Sequence, residues 1–237
     1  MAGRDRNRRR GAGGKSVGRR DATVRVRTAK GRKASSTRWL QRQLNDPYVA
    51  AAAKHGYRSR AAWKLIEIDD KFGLLRRGAA VLDLGAAPGG WTQIAVERAP
   101  GGRIVAVDRA DMDPVPGAEA RVLDLDDEAA AEALIGELAG GVDLVLSDMA
   151  IAATGHRGTD QIRNQRLAEL ACGLALGVLR PGGGFVVKAF HGGGAAAFMA
   201  ALKRAFAEVR SFKPAASRAG SAELYLVARG FRGAEEA

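Results

Sequence analysis

The sequence predicts a doubly wound α/β fold built on a mostly parallel, seven-stranded sheet. Short apolar runs that suit buried strands alternate with longer segments of helical spacing, and Gly- or Pro-rich turns separate them. The run Ala80–Leu84 also leads through a small-residue loop, Gly85–Gly90, into a helical pattern. This order of strand, tight turn and helix is typical of such domains, whose ligands bind beyond the carboxyl ends of the strands.

The remaining elements follow the same alternation. Strands are expected, in chain order, at 80–84, 103–108, 120–125, 142–148, 185–188, 208–212 and 222–227. Helices are expected at 61–71, 91–98, 126–138, 160–179 and from 195 to about 207. Ser59 is a candidate N-cap for the first of these helices, and Gly73 is its expected end. Residues Pro181–Gly184 are expected to form the turn before the fifth strand.

Charge separates a basic N-terminal arm from a neutral body. The formal net charge is +12, and residues 1–40 contain 14 Lys and Arg against Asp5 and Asp21. The rest of the chain is therefore neutral. We expect residues 1–34 to be a disordered arm, because they contain too few large apolar residues to fold alone, and 35–237 to be one domain. Such an arm suits nucleic acid, although a merely solubilising tail is the alternative.

Several classes of protein are disfavoured. No uncharged apolar run of 18 residues predicts a membrane span, and no apolar segment follows the basic N-terminus as in a secretory signal. The single cysteine, Cys172, excludes an internal disulfide and is expected to pack in a helix, so we expect a cytoplasmic protein. His55, His156 and His191 are scattered, so no metal site is expected. Nothing suggests an obligate dimer, so a monomer is expected.

The glycine-rich loop favours a nucleotide-like ligand without a pyrophosphate. Ala87 and Pro88 occupy the region where a G-x-G-x-x-G loop would place its middle glycine. S-adenosylmethionine is the candidate that fits such a loop. Asp108 ends the second strand, close to the offset at which an acid binds ribose hydroxyls. The alternative for Asp108 is a solvent-facing acid.

Two further candidates lie near the same edge. Asp124 could contact adenine, or instead cap the following helix. Trp91 could pack against the methionine end of the cofactor, or instead pack between helix and sheet. Both alternatives remain open from the sequence.

Lys188 is unusual because it follows Phe185-Val186-Val187 at the end of a core strand. It must either reach solvent or have a partner. Glu223 lies in the last strand, which such sheets place beside the fifth, so a structural Lys188–Glu223 ion pair is the alternative to a functional role. Lys64, judged by pattern alone, is an ordinary solvated helix lysine.

Six blocks follow one another in an order and spacing that resemble the FtsJ/RrmJ (RlmE)-type ribosomal RNA methyltransferases. They are YRSRAAWKL, DLGAAPGGW, VDRADMDP, SDMA, GGGFVVKAF and SAELYLVA. The resemblance covers roughly Ser36 to Arg229. It implies the Rossmann-like sheet of class I S-adenosylmethionine-dependent methyltransferases, which ends in an antiparallel hairpin. It also implies methyl transfer to a uridine 2′-hydroxyl of 23S rRNA in the large (50S) subunit or its precursor.

The resemblance also implies a set of site residues. The family's catalytic tetrad falls on Lys64, Asp148, Lys188 and Glu223, with Lys188 as the proton acceptor. An alternative division of roles keeps Lys188 charged, so that it positions the ribose oxygen. The implied S-adenosylmethionine contacts are Gly89, Trp91, Asp108, Asp124 and Asp148.

Two features differ from the family pattern, and two other functions stay open. Ile151 and Ala152 replace the family's Pro-Asn after S-D-M-A, and the basic arm is unusually long. A tRNA 2′-O-methyltransferase shares the tetrad and is the first alternative. A ribosome-assembly factor with little turnover is the second, although such a protein would have no need of Lys188 and Glu223 together.

Overall fold

The computed structural model describes residues 34–151, 154–190, 192, 194–218 and 220–233. The predicted arm, apart from Ala34, lies outside these residues. The chain divides into two units, residues 1–47 and 48–237. In the first unit the helix α1 spans Ala34–Leu44. The helix α2 follows at Pro47–Lys54.

The second unit is built on the predicted seven-stranded sheet. Its strands are β1 (Val81–Leu84), β2 (Ile104–Asp108), β3 (Glu119–Val122), β4 (Val142–Ser147), β5 (Leu179–Phe190), β6 (Phe206–Phe212) and β7 (Glu223–Phe231). Their order in the sheet is β3-β2-β1-β4-β5-β7-β6. The first five strands are parallel, and β7 pairs antiparallel with both β5 and β6. The α/β fold with an antiparallel last strand is thus confirmed.

Helices cover both faces of this sheet. They are α3 (Ala62–Phe72), α4 (Gly90–Arg98), α5 (Glu128–Leu138), α6 (Arg157–Val178) and α7 (Ala195–Ala205). One core joins α3 and α4 to one face, and a second core joins α5, α6 and α7 to the other. Side chains of β1 alternate between the two cores, with Val81 in one and Leu82 in the other, as the two-residue period of a strand requires.

The ends of several elements differ from the sequence-based expectation. Ser59 does not cap α3, whose N-cap is Ala61 without a side-chain hydrogen bond. Gly73 does end this helix, in the left-handed conformation that glycine adopts without a Cβ clash. Asp127, and not Asp124, caps α5 by accepting hydrogen bonds from two backbone amides of the first turn.

The turn expected at Pro181–Gly184 is instead part of β5. Val142 of β4 pairs with Leu179, and the register then shifts so that Leu144 pairs with Gly184. Such a shift lets the extra residues bulge outward, and Arg180, Pro181 and Gly182 are exposed. The single cysteine behaves as predicted, because Cys172 is buried in α6 and burial raises the pKa of its thiol to about 11. Among the helices of the described ranges, none has the length and hydropathy that a membrane span requires.

Candidate active site

The fold brings the four predicted catalytic side chains together at the carboxyl edge of the sheet. Asp148 directly follows β4, and Lys188 lies in the neighbouring strand β5. Glu223 begins β7, which pairs with β5. Lys64 comes from the first turn of α3, which packs on the face of the sheet that α4 also covers. Three strands and one helix therefore supply one cluster from residues far apart in the chain.

Short contacts connect this cluster. Lys188 Nζ lies 2.6 Å from Asp148 Oδ1 and also donates a 2.9 Å hydrogen bond to the backbone carbonyl of Asp148. Lys64 Nζ lies 3.1 Å from Glu223 Oε1 and 3.7 Å from Asp148 Oδ1. The alternative Lys188–Glu223 ion pair is not among the ion pairs of the described residues, and Glu223 pairs with Lys64 instead.

The cluster is largely shielded from water. Lys64 is 7% exposed and Lys188 is 8% exposed. The interpretation of Lys64 as a solvated helix lysine is therefore wrong. The α3 residues around it pack on the sheet, and its ammonium reaches the carboxylates beyond the strand ends. Buried ammonium groups require partners, which Asp148 and Glu223 provide.

Tyr225 is a fifth member of the cluster, and the sequence analysis did not identify it as a site residue. Its hydroxyl donates a 2.5 Å hydrogen bond to Asp148 Oδ1 and accepts a 2.9 Å hydrogen bond from Lys64 Nζ. It is also the register partner of Lys188. The fully buried ring packs beside Trp91, with 5.6 Å between ring centroids. Tyr225 thus connects the α3 lysine to the β4 carboxylate.

The electrostatics of the cluster keep both acids ionised. Burial raises the pKa of Asp148, but the charges of Lys188 and Lys64 outweigh it and leave this pKa below its usual value. Burial likewise raises the pKa of Glu223, and Lys64 and then Lys188 bring it below its usual value. Burial, followed by the charges of Asp148 and Glu223, raises the pKa of Tyr225 well above 10, so this hydroxyl stays protonated.

A cavity of about 390 Å³ adjoins the cluster. Asp148 lines it, so one residue belongs to both the ionic cluster and the cavity. The other lining residues combine carboxylates, apolar side chains and the start of the glycine loop: Gly85, Ala87, Asp108, Arg109, Leu123, Asp124, Leu125, Asp126, Met149, Ala150, Ile151, Leu167 and Leu170. The volume lies within the range of about 300–1,000 Å³ typical of small-molecule sites.

Besides Asp148, two of the predicted cofactor residues face this cavity. Asp108 ends β2 and accepts hydrogen bonds from the amides of Ala87 and Ala110, at 2.9 and 2.8 Å. These bonds fix the carboxylate and leave further lone pairs for a ligand. Asp124 follows β3 and accepts a 3.0 Å hydrogen bond from the Asp126 amide. Its side chain is exposed at the cavity wall.

The other two predicted cofactor residues lie behind the cavity wall. Gly89 is buried at the start of α4 with a φ of 102°, and a Cβ there would come within 2.8 Å of Arg58 Nη1. Trp91 is 3% exposed, and its Nε1 donates a 2.8 Å hydrogen bond to the Ala61 carbonyl. The structure therefore places Trp91 in the packing between helix and sheet, and neither residue is among those that line the cavity.

Arg58 clamps two loops that border the cavity. Its Nη1 donates to the carbonyls of Pro88, at 3.1 Å, and Asp113, at 2.5 Å. Its Nη2 donates to the Pro114 carbonyl at 2.7 Å. Pro88 belongs to the glycine loop, and Asp113 and Pro114 belong to the segment that follows Asp108. One guanidinium thus fixes the spacing of these two segments.

The loop after Asp148 is held by α6. Asn164 Oδ1 accepts a 3.1 Å hydrogen bond from the Ile151 amide, and Asp160 accepts hydrogen bonds from Thr154. His156 in this loop is exposed. Ala152 lies outside the described residues. Within the described part of the chain, no cluster of His, Cys, Asp or Glu suits a metal ion.

Comparison with known proteins identifies the family of this chain. A family model described as FtsJ-like methyltransferase matches residues 57–231, which contain all five residues of the cluster. The chain belongs to the FtsJ-like methyltransferase family. The resemblance inferred from the six sequence blocks is therefore confirmed, as is the assignment of the chain as a methyltransferase.

Relatives of this methyltransferase match along most of their length. A protein of Rhodospirillum rubrum named ribosomal RNA large subunit methyltransferase E is 56% identical over 226 residues, 93% of this chain and 86% of that protein. A protein of the same name from Acidiphilium cryptum is 55% identical over 214 residues, 90% of this chain and 95% of that protein. A crystal structure from Plasmodium falciparum, described as a ribosomal RNA methyltransferase, has a TM-score of 0.67 and 28% identity, and covers 75% of this chain and 100% of that one.

The sequence analysis of this methyltransferase missed Tyr225 and Arg58, and for both residues the tertiary contacts indicate the role. Tyr225 lies two residues after Glu223, so the period of a strand places both side chains on one face. That alternation could have identified Tyr225. Arg58 offers no comparable pattern, because its acceptors are backbone carbonyls 30 to 56 residues away.

Proposed function

We propose that this methyltransferase transfers a methyl group from S-adenosylmethionine to the 2′-hydroxyl of a uridine ribose in 23S rRNA of the large ribosomal subunit or its precursor. The observation that carries the proposal is the cluster of Lys64, Asp148, Lys188 and Glu223 beside the cavity. Two lysines and two carboxylates in a shielded site suit deprotonation of a weakly acidic hydroxyl. A site for an intrinsically nucleophilic acceptor would have less need of them.

The cavity supports S-adenosylmethionine as the methyl donor. Asp108 would hold the ribose hydroxyls, and Asp124 the adenine amino group, since carboxylates accept hydrogen bonds from both. Asp148 would face the methionine end, because it lies between the cavity and the lysines. The buried Gly89 and Trp91 would act from behind the wall, Gly89 by shaping the loop and Trp91 by supporting Tyr225.

The proposed chemistry assigns a role to each member of the cluster. When bound, S-adenosylmethionine would supply a methyl group on a positively charged sulfur for transfer to the ribose oxygen, and the neutral thioether S-adenosylhomocysteine would leave. Lys188, which is an ammonium ion in its pair with Asp148, must first release a proton to solvent and then accepts the hydroxyl proton. Asp148 orients Lys188 through its carboxylate and carbonyl oxygens. Lys64, held by Glu223, places a positive charge near the developing alkoxide.

The substrate assignment rests on the names of the relatives together with the chemistry of the site. The relatives are named for the large-subunit ribosomal RNA. The net charge of +12 supports a polyanionic substrate.

The decisive experiment is a methyl-transfer assay with labelled S-adenosylmethionine. Assembled 50S particles, naked 23S rRNA and tRNA serve as separate substrates, and the modified nucleotide is then mapped. We expect label at the 2′-oxygen of a uridine in the large-subunit RNA. Label in tRNA alone would show that the tRNA alternative is right, and cofactor binding without transfer to any RNA would favour the assembly factor.

Variants of Lys188 test its role. Lys188→Ala should abolish methyl transfer, because no other described side chain of the cluster replaces the proton acceptor, whereas S-adenosylmethionine affinity should change little. Lys188→Arg separates the two roles, since arginine stays charged and cannot accept the proton. A proton acceptor predicts that both variants are equally inactive. Substantial turnover by Lys188→Arg would instead assign Lys188 to positioning of the oxygen.

A further inference from the structure

A second cleft lies at the opposite edge of the sheet from the ionic cluster. Its volume is about 430 Å³. The segment 73–79 between α3 and β1 forms one side, and the bulged start of β5 at 180–184 forms the other. Asp143 and Leu144, at the beginning of β4, lie between them. Asp148 follows the far end of that strand, about 13 Å away at 3.3 Å per residue.

Arginines dominate the charge of this cleft. Arg76, Arg77, Arg180 and Arg229 line it, against the single acid Asp143. Arg180 pairs with Asp143, and Arg229 pairs with Glu208. Among the described residues, neither Arg76 nor Arg77 has a hydrogen bond or ion pair from its side chain. Both side chains are exposed. The cleft therefore contains two guanidinium groups with unused donors.

The wall opposite these arginines consists largely of bare backbone. It is formed by Pro181-Gly182-Gly183-Gly184. At Gly183 a Cβ would come within 2.9 Å of the Arg180 carbonyl and 3.1 Å of the Asp143 carbonyl, so no larger residue fits there without movement. Gly182 has open space at its Cβ position, so a ligand can approach the backbone there closely. Unpaired guanidinium groups opposite open backbone suit a phosphate group, which arginine binds with two parallel hydrogen bonds.

Helix α3 connects this cleft to the catalytic cluster. Lys64 lies in its first turn, and Gly73, which ends it, lines the cleft. Nine residues of helix span about 14 Å. Arg229 also donates to the carbonyl of Phe72, the last residue of α3. The arginine cleft and the catalytic cluster therefore lie at opposite ends of one helix.

We propose that this arginine cleft binds a backbone phosphate of the RNA substrate, as a second contact remote from the site of methyl transfer. The proposal rests on the proposed function, because it takes RNA to be the substrate. Free phosphate compounds share the same chemistry, so the experiment must separate the two sources. The cleft contributes affinity and register, and no side chain in it reaches the reacting atoms.

The test compares two double variants of the full-length protein. Arg76→Gln/Arg77→Gln removes the two unpaired charges from the cleft. Lys203→Gln/Arg204→Gln removes two charges from the last turn of α7, which does not line the cleft. RNA affinity is measured against salt concentration, and the methyl-transfer rate is measured at saturating RNA. Thermal unfolding checks that both variants fold.

We expect the cleft variant to bind large-subunit RNA about tenfold more weakly or worse, and its salt slope to fall by about one to two units. Its rate at saturating RNA should remain near that of the wild type. Equal losses in the two double variants would overturn the proposal, because general electrostatics would then explain the effect. Unchanged RNA affinity in the cleft variant would overturn it as well.

Inorganic phosphate provides the other arm of the test. It is titrated into wild type and cleft variant by calorimetry without RNA. Phosphate binding that disappears in the cleft variant, with RNA affinity unchanged, would assign the cleft to a free phosphate compound and contradict the RNA proposal. The proposed function fails separately, if the wild type transfers no methyl group to any RNA. Even if the wild type transfers no methyl group, a loss of RNA affinity in the cleft variant would still support RNA binding by the cleft.

Discussion

At the residue scale, Tyr225 shows how a neutral side chain completes a charged cluster. Its hydroxyl provides one acceptor for Lys64 and one donor for Asp148, at 2.9 and 2.5 Å. Because its raised pKa keeps the proton in place, Tyr225 is suited to positioning and unsuited to accepting the substrate proton. We therefore interpret Tyr225 as a positioning residue for Lys64 and Asp148.

Tyr225→Phe is expected to lower kcat by about tenfold to a hundredfold, because two hydrogen bonds to charged groups are lost together. The affinity for S-adenosylmethionine should change little, since the ring and its packing against Trp91 remain. Steady-state kinetics and calorimetry measure the two quantities. Tyr57→Phe, which removes a hydroxyl hydrogen bond to Glu97 on the surface, is the matched control. A normal kcat in Tyr225→Phe would contradict the positioning role.

Asp83 is a buried acid behind the glycine loop. Its side chain accepts a 2.7 Å hydrogen bond from Thr92 and lies in β1. Burial raises its pKa to about 7, with further increases from Asp148 and Asp108. The folded state therefore holds this proton more tightly than the unfolded state, so stability falls as the pH rises from about 4 to 7.

Asp83→Asn should remove this dependence. Across that pH range the wild type loses about 1.4 kcal/mol of stability per pH unit through this group. Asparagine keeps an acceptor for Thr92 and carries no charge. The free energy of unfolding of the variant, relative to that of the wild type, should therefore rise with pH, and this difference should become constant above about pH 7. Urea unfolding from pH 5 to 8 measures it. A stability difference that does not vary with pH would rule out the titration of Asp83 as its cause.

At the element scale, the shape of the cavity depends on two loops whose positions are set by contacts with residues outside the cavity. The glycine loop and the segment after β2 approach each other through Arg58, whose guanidinium binds three backbone carbonyls. The Arg58 amide in turn donates to Gln93 of α4. The loop geometry is therefore set by an arginine that precedes α3 and does not line the cavity.

Arg58→Lys is expected to weaken S-adenosylmethionine binding by about tenfold, because a lysine keeps the charge but cannot hold three carbonyls in a planar fork. The rate at saturating cofactor should change little, since the ionic cluster is intact. Calorimetric titration gives the Kd. Arg210→Lys on the exposed face of β6 is the matched control. If both variants bind the cofactor as tightly as wild type, Arg58 has no role in shaping the cavity.

At the scale of the whole molecule, nearly all of the net positive charge lies in the N-terminal segment. Residues 1–33 carry 13 Lys and Arg against two acids, whereas the formal net charge of the full chain is +12. We propose that this segment binds rRNA through its phosphates and that residues 35–237 form the methyltransferase domain. Neutralised phosphates release counterions, so such binding depends steeply on salt.

Deletion of residues 1–33 should weaken RNA binding and flatten its salt dependence, because fewer counterions are released. Filter binding or anisotropy across a salt series measures both. A full-length variant in which Gln replaces the basic residues of this segment separates charge from length, and it should behave like the deletion. An unchanged salt slope in the deletion variant would refute an RNA-binding role for the segment.

The sequence was informative wherever local patterns decide structure. The spacing of apolar residues and the positions of glycines reflect burial and local backbone preferences, so they predicted the sheet and its helices. The end of α3 at Gly73 is one example. Boundaries were less accurate where long-range pairing overrides a local signal. The Pro181–Gly184 segment is the example, because pairing with β4 extends β5 through a stretch that reads as a turn.

By itself, the sequence determined the α/β class, the carboxyl-edge location of the candidate site and the family, since these depend on patterns within short blocks. The tertiary structure decided which charges meet. It buried Lys64, paired it with Glu223 instead of leaving it solvated, and placed Tyr225 between Lys64 and Asp148. It also showed the clamp of Arg58 and the arginine cleft. Contacts between residues far apart in the chain depend on how strands and helices pack, and no local pattern specifies them.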